Sequence, residues 1–139
     1  IAKRPLLNAD ITLTNCEIPE ANRLPMARSF RDTAAVLKAT RFGVAWEGVG
    51  HALAAFELAR DYALKREQFG RPIASFQLVQ QKLVAMLGEL TAVQLIAWRL
   101  SKLLDERPDE VTDGMASLAK QQCAARARQV VAWGREILG

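Results

Sequence analysis

Arg66-Glu67-Gln68-Phe69-Gly70-Arg71-Pro72 gathers a guanidinium fork, a side-chain amide, an aromatic ring and a glycine into one short polar run between two long helical patterns. A connector there would need only the glycine. An arginine fork matches a phosphate or carboxylate, and a loop held between two rigid helices is a good place to present one. The same spacing also reads as a helix C-terminus closed by Gly70 and stopped by Pro72. On spacing alone both readings stay open.

Other chemistry is thin. His51 is the only histidine, so a His-based metal site or a Cys/His pair lacks a partner. It sits between Gly50 and Ala52 with none of the orienting groups a general base needs, and reads as a structural or interface residue. Cys123 falls in an apolar stripe as a packed thiol, and Cys16 reads as a strand-face residue. Trp46, Trp98 and Trp133 occupy helical positions and read as core rather than as a cofactor box. The carboxylates lie in mixed-charge runs, which read as solvated surface. Arg41, Arg66, Gln68, Phe69 and Gln77 remain as candidates.

The elements that must position them are helical. In the first helix, expected over about 32–65 with Ser29 or Asp32 as N-cap, Phe42, Ala45, Trp46, Val49, Ala52, Leu53, Phe56, Ala59 and Ala63 recur three or four apart. Its small residues, Gly43, Gly48, Gly50, Ala52, Ala54 and Ala55, let a neighbour approach closely. Gly48-Val49-Gly50 is no dinucleotide fingerprint, since it lies inside a helix and Leu53 stands where the third glycine belongs. A second helix, starting after Pro72 with Ser75 as cap, carries Val79, Leu83, Met86, Leu87, Leu90, Val93, Ala97, Leu100 and Leu104 to about residue 105. A turn at Arg107-Pro108-Asp109-Glu110, whose acids suit a helix start, leads to a third helix over about 111–137 through Met115, Leu118, Ala119, Cys123, Ala127, Val130 and Val131.

Helices of roughly 34, 30 and 26 residues are far above the mean of about 12. Short loops force them antiparallel, so the fold class is all-α, an up-down bundle of three long helices. Three helices leave apolar edges for a fourth, from beyond Gly139 or from another subunit. Residues 1–28 differ. Ile11-Thr12-Leu13-Thr14-Asn15-Cys16-Glu17-Ile18-Pro19 alternates as one strand ended by Pro19, while Pro5, Pro19 and Pro25 punctuate an extended linker. One strand has no independent stability, so it must pair with a sheet this chain does not supply, or dangle.

The chain has 139 residues, is 50% hydrophobic and 24% charged, and carries a net charge of +4. That is globular composition, enough for a modest core. Beginning at Ile1 without a Met, it is expected to be a piece of something longer. Acids interleave with the basic residues, so no stripe forms for nucleic acid, although a phosphate-bearing small molecule fits the balance. No apolar run approaches the roughly 20 residues of a membrane span, so none is expected. Two separated cysteines without CxxC spacing fit a reducing, intracellular setting.

Three stretches together carry a resemblance: Thr40-Arg41-Phe42-Gly43-Val44-Ala45-Trp46, Ala59-Arg60-Asp61-Tyr62-Ala63-Leu64-Lys65-Arg66-Glu67-Gln68-Phe69-Gly70-Arg71-Pro72-Ile73, and Gln77 with Lys82-Leu83-Val84-Ala85-Met86. The pattern Y-A-x-x-R-x-Q-F-G-x-P-(I/L)-x-x-x-Q-x-x-x-x-x-L-x-x-M, here Tyr62 to Met86, resembles that of acyl-CoA dehydrogenases; the resemblance needs no gap from Arg41 to Met86 and with the C-terminal residues extends over roughly two-thirds of the chain. Arg41 to Trp46 and Arg135-Glu136-Ile137-Leu138-Gly139 are most similar to the glutaryl-CoA dehydrogenase branch. Most relatives have Gln, reaching the flavin diphosphate of a neighbouring subunit, where Glu136 stands.

The resemblance implies that residues 1–28 end a middle β domain and its linker, and that 29–139 are an incomplete C-terminal helical domain. It implies FAD held between subunits of a homotetramer. Arg66 and Gln68 then meet the FAD diphosphate, Phe69 packs against the cofactor, and Gln77 lies near its adenosine half. Arg41, Thr40 and Leu37 then lie beside the acyl-CoA substrate. The implied reaction is α,β-dehydrogenation of an acyl-CoA thioester, with decarboxylation in the glutaryl-CoA branch and an electron-transfer flavoprotein as acceptor. The catalytic glutamate is expected beyond Gly139, leaving no catalytic residue within this chain. The setting is the cytoplasm in a bacterium or the mitochondrial matrix in a eukaryote, in fatty acid and amino acid catabolism. Two rivals are a short-chain acyl-CoA oxidase with the same motifs and a non-catalytic helical assembly module.

Overall fold

A computed structural model describes residues 9–139. Three long helices run up, down and up: α1 (Phe30–Lys65), α2 (Gln77–Glu106) and α3 (Asp113–Leu138). The expected all-α bundle is present. α1 opens on a reciprocal capping box. The Ser29 hydroxyl accepts from the Arg31 amide, while the Asp32 carboxylate accepts from the Arg28 and Ser29 amides at 2.8 Å each. Ser29 is thus the cap, and Asp32 its partner three residues on. Those two amides hold the Asp32 carboxyl below its ordinary pKa.

Buried positions on α2 (Met86, Leu90, Val93, Ala97, Leu100) and α3 (Ala116, Ala119, Cys123, Ala127, Val130, Gly134, Ile137) recur at steps of three or four. That is the repeat of helices packed nearly parallel to one another's axes. The α1–α3 seam is built of small residues. A Cβ on Gly48 would lie 3.0 Å from the Cys123 carbonyl carbon and oxygen, so even a methyl there would require the helices to move apart by a few tenths of an ångström. Larger core volume comes from α2, with Met86 and Val93 fully buried. Burial pushes the Cys123 thiol pKa up, which leaves it the packed, inert thiol its stripe predicts.

Several local expectations differ. Residues 11–19 dangle instead of pairing: this stretch is exposed, irregular backbone with no pairing partner among the described residues. Pro5 lies outside the described residues. Ser75 does not cap α2. It belongs to a 3₁₀ turn, Ile73–Ser75, where its hydroxyl donates to the Pro72 carbonyl, and Phe76 takes the N-cap position without a side-chain cap. Asp109 and Glu110 likewise sit in a 3₁₀ turn, and Thr112 with Asp113 opens α3 instead.

Trp98 is not core, and Trp46 is only partly covered, its indole N–H donating to the Ser101 hydroxyl. The reason is a second apolar face on α2. Val84, Leu87, Leu95 and Trp98 are all exposed. By angle Val84 and Leu95 lie opposite the buried row, with Leu87 and Trp98 on the flank between. With two apolar faces, α2 passes as a membrane span by length and composition, which the expectation of none did not foresee. One of those faces forms the core against α1 and α3.

Candidate functional site

α1 ends at Lys65, and Arg66 is its C-cap on extended backbone, its amide donating to the Tyr62 carbonyl at 2.8 Å. The chain then pairs with itself. β1 (Glu67–Gln68) and β2 (Arg71–Pro72) are antiparallel, with Glu67 opposite Pro72 and Gln68 opposite Arg71. One further bond, from the Ile73 amide to the Arg66 carbonyl at 2.8 Å, continues the ladder back to the helix end. The run Arg66 to Pro72 is therefore neither a bare helix stop nor an irregular loop. It is a tight hairpin fixed at both feet.

Its two-residue turn is Phe69-Gly70, with φ of +54° and +76°. Positive φ at both central residues is the type I′ turn that matches the twist of paired strands. Gly70 adopts this freely, while for Phe69 the left-handed conformation costs about 1–2 kcal/mol. Phe69 is also 93% exposed. A strained, bulky aromatic held in solvent is a conformation of the kind that gathers at ligand clamps.

Arg66 and Gln68 stand two apart on extended backbone, so their side chains leave the strand on one side. Both are exposed. Among the described residues no carboxylate pairs with the Arg66 guanidinium, whereas Gln68 donates its amide to the Glu67 carbonyl at 2.9 Å. Gln77, exposed, is the first residue of α2, where the positive end of the helix dipole lies beside the hairpin and no side chain caps it. A fork, an amide and a helix N-terminus together favour an anion.

Leu37, Thr40 and Arg41 share one face of α1, spaced by three and four. Leu37 and Thr40 are exposed and Arg41 is half-buried. The Thr40 hydroxyl donates to the Leu37 carbonyl at 3.2 Å. These three are not brought to the hairpin, since twenty-five residues of α1 put Arg41 roughly 37 Å of helix axis from Arg66. Glu136 forms an ion pair with Lys82 across α2 and α3, so this acid already has a partner. His51 is exposed and carries no resolved partner among the described residues.

Sequence reasoning missed Phe76 and Arg71. The Phe69 and Phe76 rings meet edge to face at 6.1 Å between centroids, planes 87° apart, and the Arg71 guanidinium lies 4.4 Å over the centre of the Phe76 ring. The available signal was the two-residue spacing around Phe69-Gly70, which fits a hairpin. The flanking residues lack strand alternation, so the spacing did not stand out.

Comparison with known proteins gives a consistent result. The family pattern described as acyl-CoA dehydrogenase, C-terminal domain, matches residues 30–139. A crystal structure of glutaryl-CoA dehydrogenase from Mycobacterium smegmatis superposes with a TM-score of 0.81 at 36% identity, over 88% of this chain and 31% of that one. A structure of a glutaryl-CoA dehydrogenase from the same organism in complex with FADH2 gives 0.78 at 30% identity, over 83% and 29%. The caffeyl-CoA reductase-Etf complex subunit CarC of Acetobacterium woodii is 30% identical over 132 residues, 94% of this chain and 34% of that protein. The chain thus spans about a third of the length of the relatives it matches.

Proposed function

The chain belongs to the acyl-CoA dehydrogenase family as its C-terminal helical domain, and from that premise we propose that it forms the cofactor-binding and subunit-contacting part of an FAD-dependent acyl-CoA dehydrogenase. The observation that carries the proposal is the hairpin, whose Arg66, Gln68 and Phe69 are exposed on a rigidly paired scaffold. These residues fit a dinucleotide. Arg66 and Gln68 hold the diphosphate, Phe69 lies against the cofactor, and Gln77 binds towards the adenosine half. FAD, when bound, accepts the hydride from the substrate β-carbon. The α-proton goes to a glutamate outside residues 1–139.

On the other part of α1, Leu37, Thr40 and Arg41 line the acyl-CoA side, with the glutaryl-CoA type favoured by the residues around Arg41. The 37 Å spacing fits two separate ligand contacts on one helix, with the hairpin serving a partner subunit's cofactor. The outer apolar face of α2 supports a homo-oligomer, a tetramer in this reading. An electron-transfer flavoprotein is the acceptor, and the cytoplasm of a bacterium or the mitochondrial matrix is the setting.

The test is Arg66→Ala in the full-length protein. Loss of a charge-assisted hydrogen bond should weaken FAD retention by about 1.5–3 kcal/mol. Proton abstraction at saturating FAD should change far less. Retention equal to the parent's, measured by flavin fluorescence on dilution, would remove the hairpin from the cofactor site.

A further inference from the structure

Phe69 adopts a backbone conformation it disfavours, and a 93% exposed ring has little burial to hold it there. What it does have is Phe76. That residue is fixed as the N-cap of the 30-residue α2, its amide donating to the Ile73 carbonyl at 3.1 Å and its carbonyl accepting from the Val79 and Gln80 amides. Its half-buried ring is engaged twice, edge to face with Phe69 and by the guanidinium of Arg71, the residue just past the turn. Both arms of the turn are thereby tied to one ring on the next helix. The ladder closes the turn at the Gln68–Arg71 pair but gives the Phe69 side chain no support.

We infer that Phe76 and Arg71 are positioning residues, which lock the Phe69-Gly70 turn and so hold Phe69 where it meets the cofactor. This rests on the reading of the hairpin as the cofactor-facing loop, and it adds the means by which that loop is kept in shape. The ring contacts are of the edge-to-face and cation–π kinds, both of which need an aromatic at 76 and a cation at 71. Phe76→Tyr keeps both contacts and Phe76→Leu keeps only volume. Arg71→Gln removes the cation from an exposed position.

The experiment uses the full-length protein and reads two things. In the FAD-free form, trypsin cleaves after Arg66 only when the hairpin opens, so the cleavage rate follows the open population. In the loaded form, FAD retention is measured on dilution. Phe76→Leu and Arg71→Gln should each speed cleavage after Arg66 by about three- to tenfold, the loss of one or two ring contacts. Phe76→Tyr should cleave at the parent's rate. Parallel loss of FAD supports the whole inference. Faster cleavage with unchanged FAD retention keeps the locking role and refutes the cofactor reading of the hairpin. Cleavage unchanged in Phe76→Leu and Arg71→Gln overturns the locking role whatever happens to FAD. If Phe76→Leu fails to fold, Arg71→Gln alone decides.

Discussion

Replacing Phe69 by Asn separates conformational strain from ligand contact at a single position. Asn followed by Gly is the favoured pair for a type I′ turn, and Asn enters the left-handed region readily. The backbone penalty relieved is about 1–2 kcal/mol. Against it stands the loss of one edge-to-face contact with Phe76, about 0.5 kcal/mol at the low end for so exposed a ring. Little burial is lost, because Phe69 is 93% exposed. The FAD-free full-length protein should therefore gain about 0.5–1.5 kcal/mol. The loaded protein should lose cofactor affinity by about 0.5–1.5 kcal/mol, the worth of an aromatic contact. Urea midpoints of the FAD-free form and flavin release on dilution measure the two effects. If Phe69→Asn destabilises the FAD-free form, the ring packs structurally and the strain argument is wrong. A gain in stability with unchanged flavin release would mean that the ring never touches the cofactor.

Three further outcomes are expected. Gly48→Ala should destabilise by up to about 2 kcal/mol, because overpacking against the Cys123 backbone outweighs the helix-propensity gain of about 1 kcal/mol. Gly43→Ala and Gly50→Ala, where a Cβ meets nothing within 4 Å, should stabilise by about 0.5–1 kcal/mol; denaturant midpoints that rank the three alike would refute the close seam. The Asp32 carboxyl has a folded pKa below its ordinary 3.8, so its contribution is present above that pH and is lost as pH falls through the lower folded value. Asp32→Asn should flatten the loss of stability below pH 3.8, and parallel acid-unfolding curves for parent and variant would exclude the capping box as its cause. Leu95→Glu, in the middle of the outer apolar face of α2, should shift the full-length protein towards smaller species in sedimentation, while an unchanged distribution would place the subunit contact elsewhere.

Much of the fold was legible because helical periodicity is local. The stripe through Met86, Leu90, Val93, Ala97 and Leu100 marks α2 without knowledge of its neighbours, and Ser29 with Asp32 marks where α1 begins. The failures come where a residue's state depends on something distant. Residues 11–19 have strand alternation but no partner strand, so the pattern produces no strand. Leu87 and Trp98 fit a helical stripe by number, yet α2 has two apolar faces and they belong to the outer one. Periodicity reveals that a face exists and is silent about what covers it.

The candidate site divides along the same line. Arg66, Gln68 and Phe69 could be singled out by residue type, because a fork, an amide and a ring exceed what a connector needs. Their conformation could not be read, since a type I′ turn calls for Asn or Gly where this chain places Phe. Local propensity and observed structure conflict at that residue. The conflict is sustained by contacts from Phe76 and Arg71, which only the folded chain brings together. Such disagreement is expected at a position retained for what its side chain presents rather than for what its backbone prefers. An exposed aromatic bearing that cost, beside an arginine with no carboxylate partner among the described residues, fits the cofactor contact proposed above.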